Sequence, residues 1–134
     1  MSSKTKGSNA ERELIHLFWQ TGTWAACRVA GSGSSQYPSA DIIASNSKRT
    51  IIIEAKTTKD QSKYFDNEEI AQIKKFVSKF GAEAWIAVKF KGCCWYFLPL
   101  ESLEKAKNSF VVSSETAKTK GLTFEELVKE KKMS

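Results

Sequence analysis

In the stretch IIIEAK, residues 51–56, a carboxylate and an ammonium follow three isoleucines. The isoleucines read as a buried strand, and charged side chains are almost never fully buried without partners. Glu54 and Lys56 therefore need something to meet. Asp41, separated by twelve residues from the Glu54-Ala55-Lys56 triplet, heads a second apolar run, DIIAS. Two carboxylates and a lysine suit metal-assisted hydrolysis of a phosphodiester. Mg²⁺ takes oxygen ligands, often one or two carboxylates plus substrate phosphates. It activates a bound water and neutralises phosphate charge, while a neighbouring lysine can position the water or stabilise the transition state.

Whether these groups converge depends on the hairpin that carries them. With strands over 41–46 and 49–56 and the turn centred between Ser47 and Lys48, paired residues sum to 95 and Asp41 lies across from Glu54. Opposite side chains have Cβ atoms roughly 4.5–5.5 Å apart, so two carboxylates there either raise one pKa or share a cation. Glu54 and Lys56, two residues apart, share a face, and Ile53 and Ala55 point away. A one-residue slip would undo the arrangement. Glu11 opens an apolar helical stripe through Leu14, Ile15 and Phe18. Packing that stripe on the sheet brings Glu11 toward the other acids, and leaves Glu13 pointing elsewhere, into solvent. The plainer reading, an edge-strand Glu-Lys pair with Asp41 as a turn acid, would serve for any one of these residues. The set as a whole favours function.

The surrounding pattern predicts an α/β fold in a single domain, residues 1–134: a central mixed β-sheet flanked by helices. A polar, basic segment over residues 1–6, expected to be mobile, precedes a helix from Ser8 to Gln20, capped by Ser8 or Asn9. A strand over 24–30 leads into the Gly/Ser loop GSGSSQYPS and then the hairpin. A helix over 67–80 carries Ile70, Ile73, Val77 and Phe80 on its stripe and stops at Gly81. Strands 84–90 and 94–100 turn at Lys91-Gly92, and a Thr123–Glu126 capping box opens a terminal helix.

Composition narrows the partners. Twenty-one basic residues against fifteen acidic give a net charge of +6 and a pI near 9.2, which favours a polyanion, nucleic acid before membrane. One histidine, His16, leaves no His-x-x-x-His zinc pair, and any serine-protease-like triad would have to use it. Cys27 and the adjacent Cys93 and Cys94 form no disulfide framework and are expected as core or half-buried fillers in a reducing, cytoplasm-like compartment. No apolar run reaches membrane-spanning length, and the first residues carry no apolar signal core. Of the four tryptophans, most are expected in packing rather than stacked on bases.

The pattern Asp41…Glu54-Ala55-Lys56 resembles the D-x(n)-(D/E)-x-K core of the PD-(D/E)xK nuclease superfamily, whose fold is restriction-endonuclease-like. Taken in order, KGSNAERELI, CRVAGSGSS, PSADIIA, IIIEAK, KKFVSKFGAEAWIAVKF and GLTFEELV resemble the archaeal Holliday junction resolvases over nearly the whole chain. That resemblance implies a Mg²⁺-dependent endonuclease, with Mn²⁺ able to substitute, that nicks four-way DNA symmetrically as a homodimer in a cytoplasmic, nucleoid-associated setting. It implies that Glu11, Asp41 and Glu54 hold the metal, that Lys56 is the catalytic lysine and that Ser32 acts near the scissile phosphate. It further implies that Lys6, Arg12 and Arg28 hold the DNA backbone and that Phe76 and Phe80 lie in the dimer interface. Pro38 stands three residues before Asp41 rather than next to it, so Ser34, Ser35 and Ser39 rival Ser32. A nuclease of the same superfamily acting on flaps, ends or duplex, and a junction-binding module without cleavage, are the alternatives. No motif for a clamp or helicase partner is readable.

Overall fold

The structure, a computed structural model, describes residues 3–29 and 40–129, with side chains from Asn9 onward. In chain order it contains α1 (Ser3–Gln20), β1 (Ala25–Arg28), β2 (Ile42–Ser45), β3 (Thr50–Thr58), β4 (Ser62–Asp66), α2 (Asn67–Phe80), β5 (Glu83–Phe90) and β6 (Trp95–Pro99). A 3₁₀ turn (Leu100–Ser102), β7 (Glu104–Lys105), β8 (Ser109–Ser113), α3 (Ser114–Lys120) and α4 (Phe124–Lys129) follow.

The isoleucine run sits at the centre. Ile51, Ile52 and Ile53 have no exposed surface, as expected of an inner strand covered on both faces, where apolar residues run on instead of alternating. Five strands form the main sheet in the order β1-β2-β3-β5-β6. β3 and β5 are parallel, joined by a crossover through β4 and α2, and the other pairs are antiparallel. One face packs Leu14 and Phe18 of α1 and Leu127 of α4 with Ile51 and Ile53. The other packs Ile70 and Ile73 of α2 with Ile86, Val88 and Leu98, together with Phe65 of β4 and Val112 of β8.

The β2–β3 hairpin has the register its turn implies: Ile42 pairs with Ile53 and Ser45 with Thr50. Ser47 takes a left-handed backbone (φ 78°) in the turn, and Asn46 Oδ1 accepts the N–H groups of Lys48 and Arg49. Asn and Ser in such turns hold the chain by these short side-chain bonds. The two strands are unequal, nine residues against four. Among the described residues, Lys56 to Thr58 pair only with β5. At the opposite end of β3, the buried Arg49 guanidinium donates to both Glu83 carboxylate oxygens at 2.9 Å and to the Leu127 carbonyl at 2.8 Å. It also lies 5.6 Å from the Trp24 ring centre.

Several expectations need correction. Helix α1 begins at Ser3, so the segment over residues 3–6 is helical, and Ser8 and Asn9 lie inside the helix. Asn9 uses its carbonyl oxygen to accept from Arg12 at 3.0 Å, a partner that lets a polar residue sit within a helix. Phe80 is 50% exposed, not on the core stripe. Gly81 (φ 77°) ends α2 there, and the Phe80 ring stacks on Phe76 at 5.4 Å. Cys27 and Cys94 are exposed and Cys93 is half-buried, and the adjacent pair lies in the turn before β6. The second sheet, ordered β4-β8-β7, was not anticipated. Its longest strand has five residues, and its pairing joins segments nearly fifty residues apart, a distance at which local pattern is silent. The Thr123–Glu126 capping box is present in both directions, at 2.9 and 3.2 Å. Trp24, Trp85 and Trp95 are buried and Trp19 is exposed. No described helix is long and apolar enough to cross a membrane.

Candidate active site

The hairpin ladder continues past the end of β2 and delivers Asp41 to β3. Its N–H donates to the Ile53 carbonyl at 3.1 Å, and its carbonyl accepts from Val29 at 2.8 Å. Its side chain then takes the place of a main-chain acceptor: Oδ2 receives the Ala55 N–H at 3.0 Å. Asp41 is thus held directly across from Glu54 by three bonds to neighbouring backbone.

Glu54 is nearly enclosed, its side chain 10% exposed. Burial first, and the Asp41 charge second, push its carboxyl up to about 8, with Glu69 adding to the rise and Lys56 opposing it. Lys56 lies on the same strand face, its Nζ 3.4 Å from Glu54 Oε2 and 3.1 Å from Glu69 Oε2. Burial works against the ammonium, but Glu54, Glu69 and Asp41 together hold its pKa above the ordinary lysine value. Odd and even residues of β3 divide as alternation requires: Ile51, Ile53 and Ala55 go toward α1, Glu54 and Lys56 toward α2.

Glu11 reaches the same end of the sheet from α1. Its Oε1 accepts from Arg28 Nε at 2.7 Å. Burial and then the Asp41 charge raise its pKa, against the opposing pull of Arg28 and Lys56. The expected convergence of Glu11, Asp41, Glu54 and Lys56 is therefore present as a neighbourhood. Among the described residues, no set of three Asp, Glu, His or Cys side chains closes to metal-holding distance. The oxygen donors still fit a hard divalent cation, because two carboxylates close together, one of them nearly enclosed, are favoured by a cation placed between them.

Arg28 sits at the end of β1, half-exposed and engaged with Glu11, and Arg12 is exposed on α1. Lys6 is in the first turns of α1, but its side chain lies outside the described residues, as do Ser32, Ser34, Ser35 and Ser39. Phe76 and Phe80 lie together on α2. Glu13 is not merely solvated: its Oε1 accepts from Lys89 Nζ at 2.9 Å and Trp95 Nε1 at 2.6 Å, and these two bonds lower its pKa. It ties α1 to β5 and β6.

Two features were not read from the sequence. Glu69, in the first turn of α2, meets Lys56. The available signal was its place four and seven residues before Ile73 and Phe76, on one helix flank. The other is an open cleft of about 610 Å³ beginning one residue past Lys56, lined by Asn9, Glu13, Thr57, Thr58, Lys59, Lys89 and Lys91. Its lysines come from the C-terminal ends of β3 and β5 and the residues just beyond them, which the parallel pairing of the two strands brings together.

A mixed sheet whose inner strand carries an E-x-K motif opposite an aspartate defines a nuclease core of the D…(D/E)xK class. The archaeal Holliday junction resolvase (hjc) family matches residues 2–134. The chain is 37% identical to the crossover junction endodeoxyribonuclease Hjc of Archaeoglobus fulgidus, covering 96% of this chain and 98% of that one. It is 36% identical to the Hjc of Sulfolobus acidocaldarius over 96% and 90%, and 32% identical to that of Methanocaldococcus jannaschii over 92% and 86%. The solved structure of Archaeoglobus fulgidus Hjc, a Holliday junction resolvase, superposes with a TM-score of 0.83 at 35% identity, covering 90% of this chain and 96% of that one. The chain belongs to the archaeal Holliday junction resolvase family.

Proposed function

We propose that this protein is a Mg²⁺-dependent endodeoxyribonuclease that resolves four-way DNA junctions by paired, symmetric nicks near the branch, acting as a homodimer. The observation that carries the chemistry is Asp41 bonded to the backbone of Ile53 and Ala55 on either side of Glu54, with Lys56 on the same strand face as Glu54. The junction as substrate rests on family membership.

Asp41 and Glu54 are the groups that would hold the cation, with Glu11 beside them, a ligand count that suits Mg²⁺. Bound Mg²⁺ supplies a water of lowered pKa and neutralises charge on the phosphate. The protein's part is to present carboxylate oxygens in a fixed geometry. Lys56 places an ammonium where negative charge grows as water oxygen bonds to phosphorus and the leaving oxygen departs. Arg28 and Arg12 add positive charge along the same edge, and Lys59 and Lys91 line the cleft beside it, an arrangement suited to a phosphate backbone. Ser32 is assigned to the scissile phosphate by resemblance alone.

A two-fold dimer suits a four-way junction, which is itself roughly two-fold symmetric, so that two identical sites meet two strands of like polarity. The half-exposed Phe80, its ring stacked on the partly buried Phe76, supports α2 as the self-association surface.

The test compares an immobile four-way junction with linear duplex of matching sequence, using wild type and Glu54→Gln, with Mg²⁺ or with EDTA. Symmetric nicks near the branch, absent from duplex and lost in the variant and in EDTA, are expected. Equal cutting of both DNAs would retain a nuclease and overturn the junction specificity. Junction binding without Mg²⁺-dependent cutting would overturn the catalytic reading.

A further inference from the structure

Lys56 has two carboxylate partners from two different elements. Glu54 is its neighbour on β3, at 3.4 Å, and is also the group placed to hold the cation. Glu69 comes from α2 and makes the shorter contact, 3.1 Å. The two partners differ in what else they face. Glu54 sits between Ile53 and Ala55, whose backbone groups bond Asp41, and is nearly enclosed with Lys56 beside it, whereas Glu69 is 30% exposed. A lysine stem has four carbons and a compact, mobile charge. With Glu54 as its sole partner, that charge would compete with a cation for the same carboxylate.

We infer that Glu69 is a positioning residue for Lys56: it holds the ammonium at the mouth of the site from the α2 side and so leaves the Glu54 carboxylate to the cation. This rests on the reading of Glu54 and Lys56 as catalytic machinery. The helix is a firm base for the task. Ile70 and Ile73, one and four residues further on, are each 1% exposed, so the Glu69 backbone is anchored by core packing. The pair is partly screened by solvent, its side chains 31% and 30% exposed, so its loss costs modest stability, and the role of Glu69 is expected chiefly in rate and metal requirement.

The experiment uses the full chain with an immobile four-way junction, comparing wild type with Glu69→Leu, Glu69→Gln and Glu68→Gln, the last removing an exposed charge from the same turn of α2. Three quantities are read: the cleavage rate at saturating enzyme, the Mg²⁺ concentration at half-maximal rate, and junction Kd with Ca²⁺ replacing Mg²⁺. The Mg²⁺-induced rise in Tm of the DNA-free protein is read alongside. In Glu69→Leu the rate falls on the order of tenfold or more, as for a displaced catalytic group. Its half-maximal Mg²⁺ concentration increases several-fold, its Mg²⁺-induced Tm rise shrinks, and its junction Kd stays within about twofold of wild type. Glu69→Gln, which keeps an acceptor oxygen, falls between, and Glu68→Gln matches wild type. A Glu69→Leu variant with unchanged rate and Mg²⁺ requirement overturns the inference and leaves the proposed function standing. So does a rate loss matched by an equal loss of junction affinity. A wild type that cuts no junction overturns the proposed function and this inference with it.

Discussion

Asp41 and Ala55 are joined side chain to backbone: the Asp41 carboxylate accepts the Ala55 N–H at 3.0 Å where the β2–β3 ladder would otherwise require a carbonyl. The same residue is thus a part of the sheet and a part of the site, and substitutions can separate the two. Asp41→Asn keeps an acceptor oxygen and should unfold in urea near the wild-type midpoint while losing Mg²⁺-dependent cleavage. Asp41→Ala removes the acceptor as well and should lose about 1–2 kcal/mol, with cleavage lost too. Equal stability of the two variants would mean that the Ala55 bond contributes nothing.

The opposed carboxylates make the metal-free protein sensitive to pH. Burial and the Asp41 charge raise Glu54 to about 8 in the folded state, against an ordinary value of 4.5. Between those values the folded chain keeps a proton that the unfolded chain has released. The stability from this group is fully present below pH 4.5 and is lost as pH rises through about 8. In EDTA, wild type should therefore show a Tm contribution that declines over that window. Glu54→Gln should lack the decline and melt higher than wild type above pH 8. Adding Mg²⁺ at pH 8 should raise the Tm of wild type but not of the variant. A parallel pH dependence in both proteins would count against the burial of a charged Glu54.

Arg49 tests the other end of β3. Its guanidinium is bound to Glu83 and the Leu127 carbonyl and packs by the Trp24 ring. Arg49→Ala removes the guanidinium from the partly buried Glu83 carboxylate, to which Trp85 Nε1 still donates at 3.0 Å, and should cost about 2–3 kcal/mol, measured by urea unfolding. Replacing both residues, Arg49→Met with Glu83→Gln, should restore a substantial part. The cleavage rate of the folded fraction at low temperature should stay near wild type.

The aromatic pair on α2 predicts a separation of assembly from stability. Phe80 is half-exposed, so Phe80→Ser should change the unfolding free energy of an isolated chain by under about 1 kcal/mol. Combined with Phe76→Ser it should shift sedimentation from dimer to monomer at micromolar concentration. A double variant that still sediments as a dimer would place the interface on another face.

What was legible depended on how local the cause was. The Asp41–Glu54 pairing could be read because a short turn sets hairpin register, and Ser47 and Asn46 provide that turn. The limits of α2 followed from its stripe and from Gly81, and the opening of α4 from a capping box four residues long. Glu69 was not legible as a partner of Lys56, because nothing within thirteen residues of chain states that α2 folds back over β3. The second sheet was hidden for the same reason, since β4 has little apolar surface of its own and gains its place from β8. Phe80 misled because a helical stripe marks a direction only, and in the last turn before Gly81 that side of the helix is half-exposed.

The unequal lengths of β2 and β3 bear on solubility as well as on chemistry. Beyond Ala55 the inner strand has a flank that no described strand pairs with, the kind of surface through which chains stack into aggregates. Charged side chains at such a flank discourage stacking, and here they are Asp41 and Lys56. Variants that neutralise these residues to abolish cleavage also weaken that barrier. A catalytically dead protein made for trapping a DNA complex should accordingly be more prone to strand-to-strand association on concentration than the enzyme it imitates.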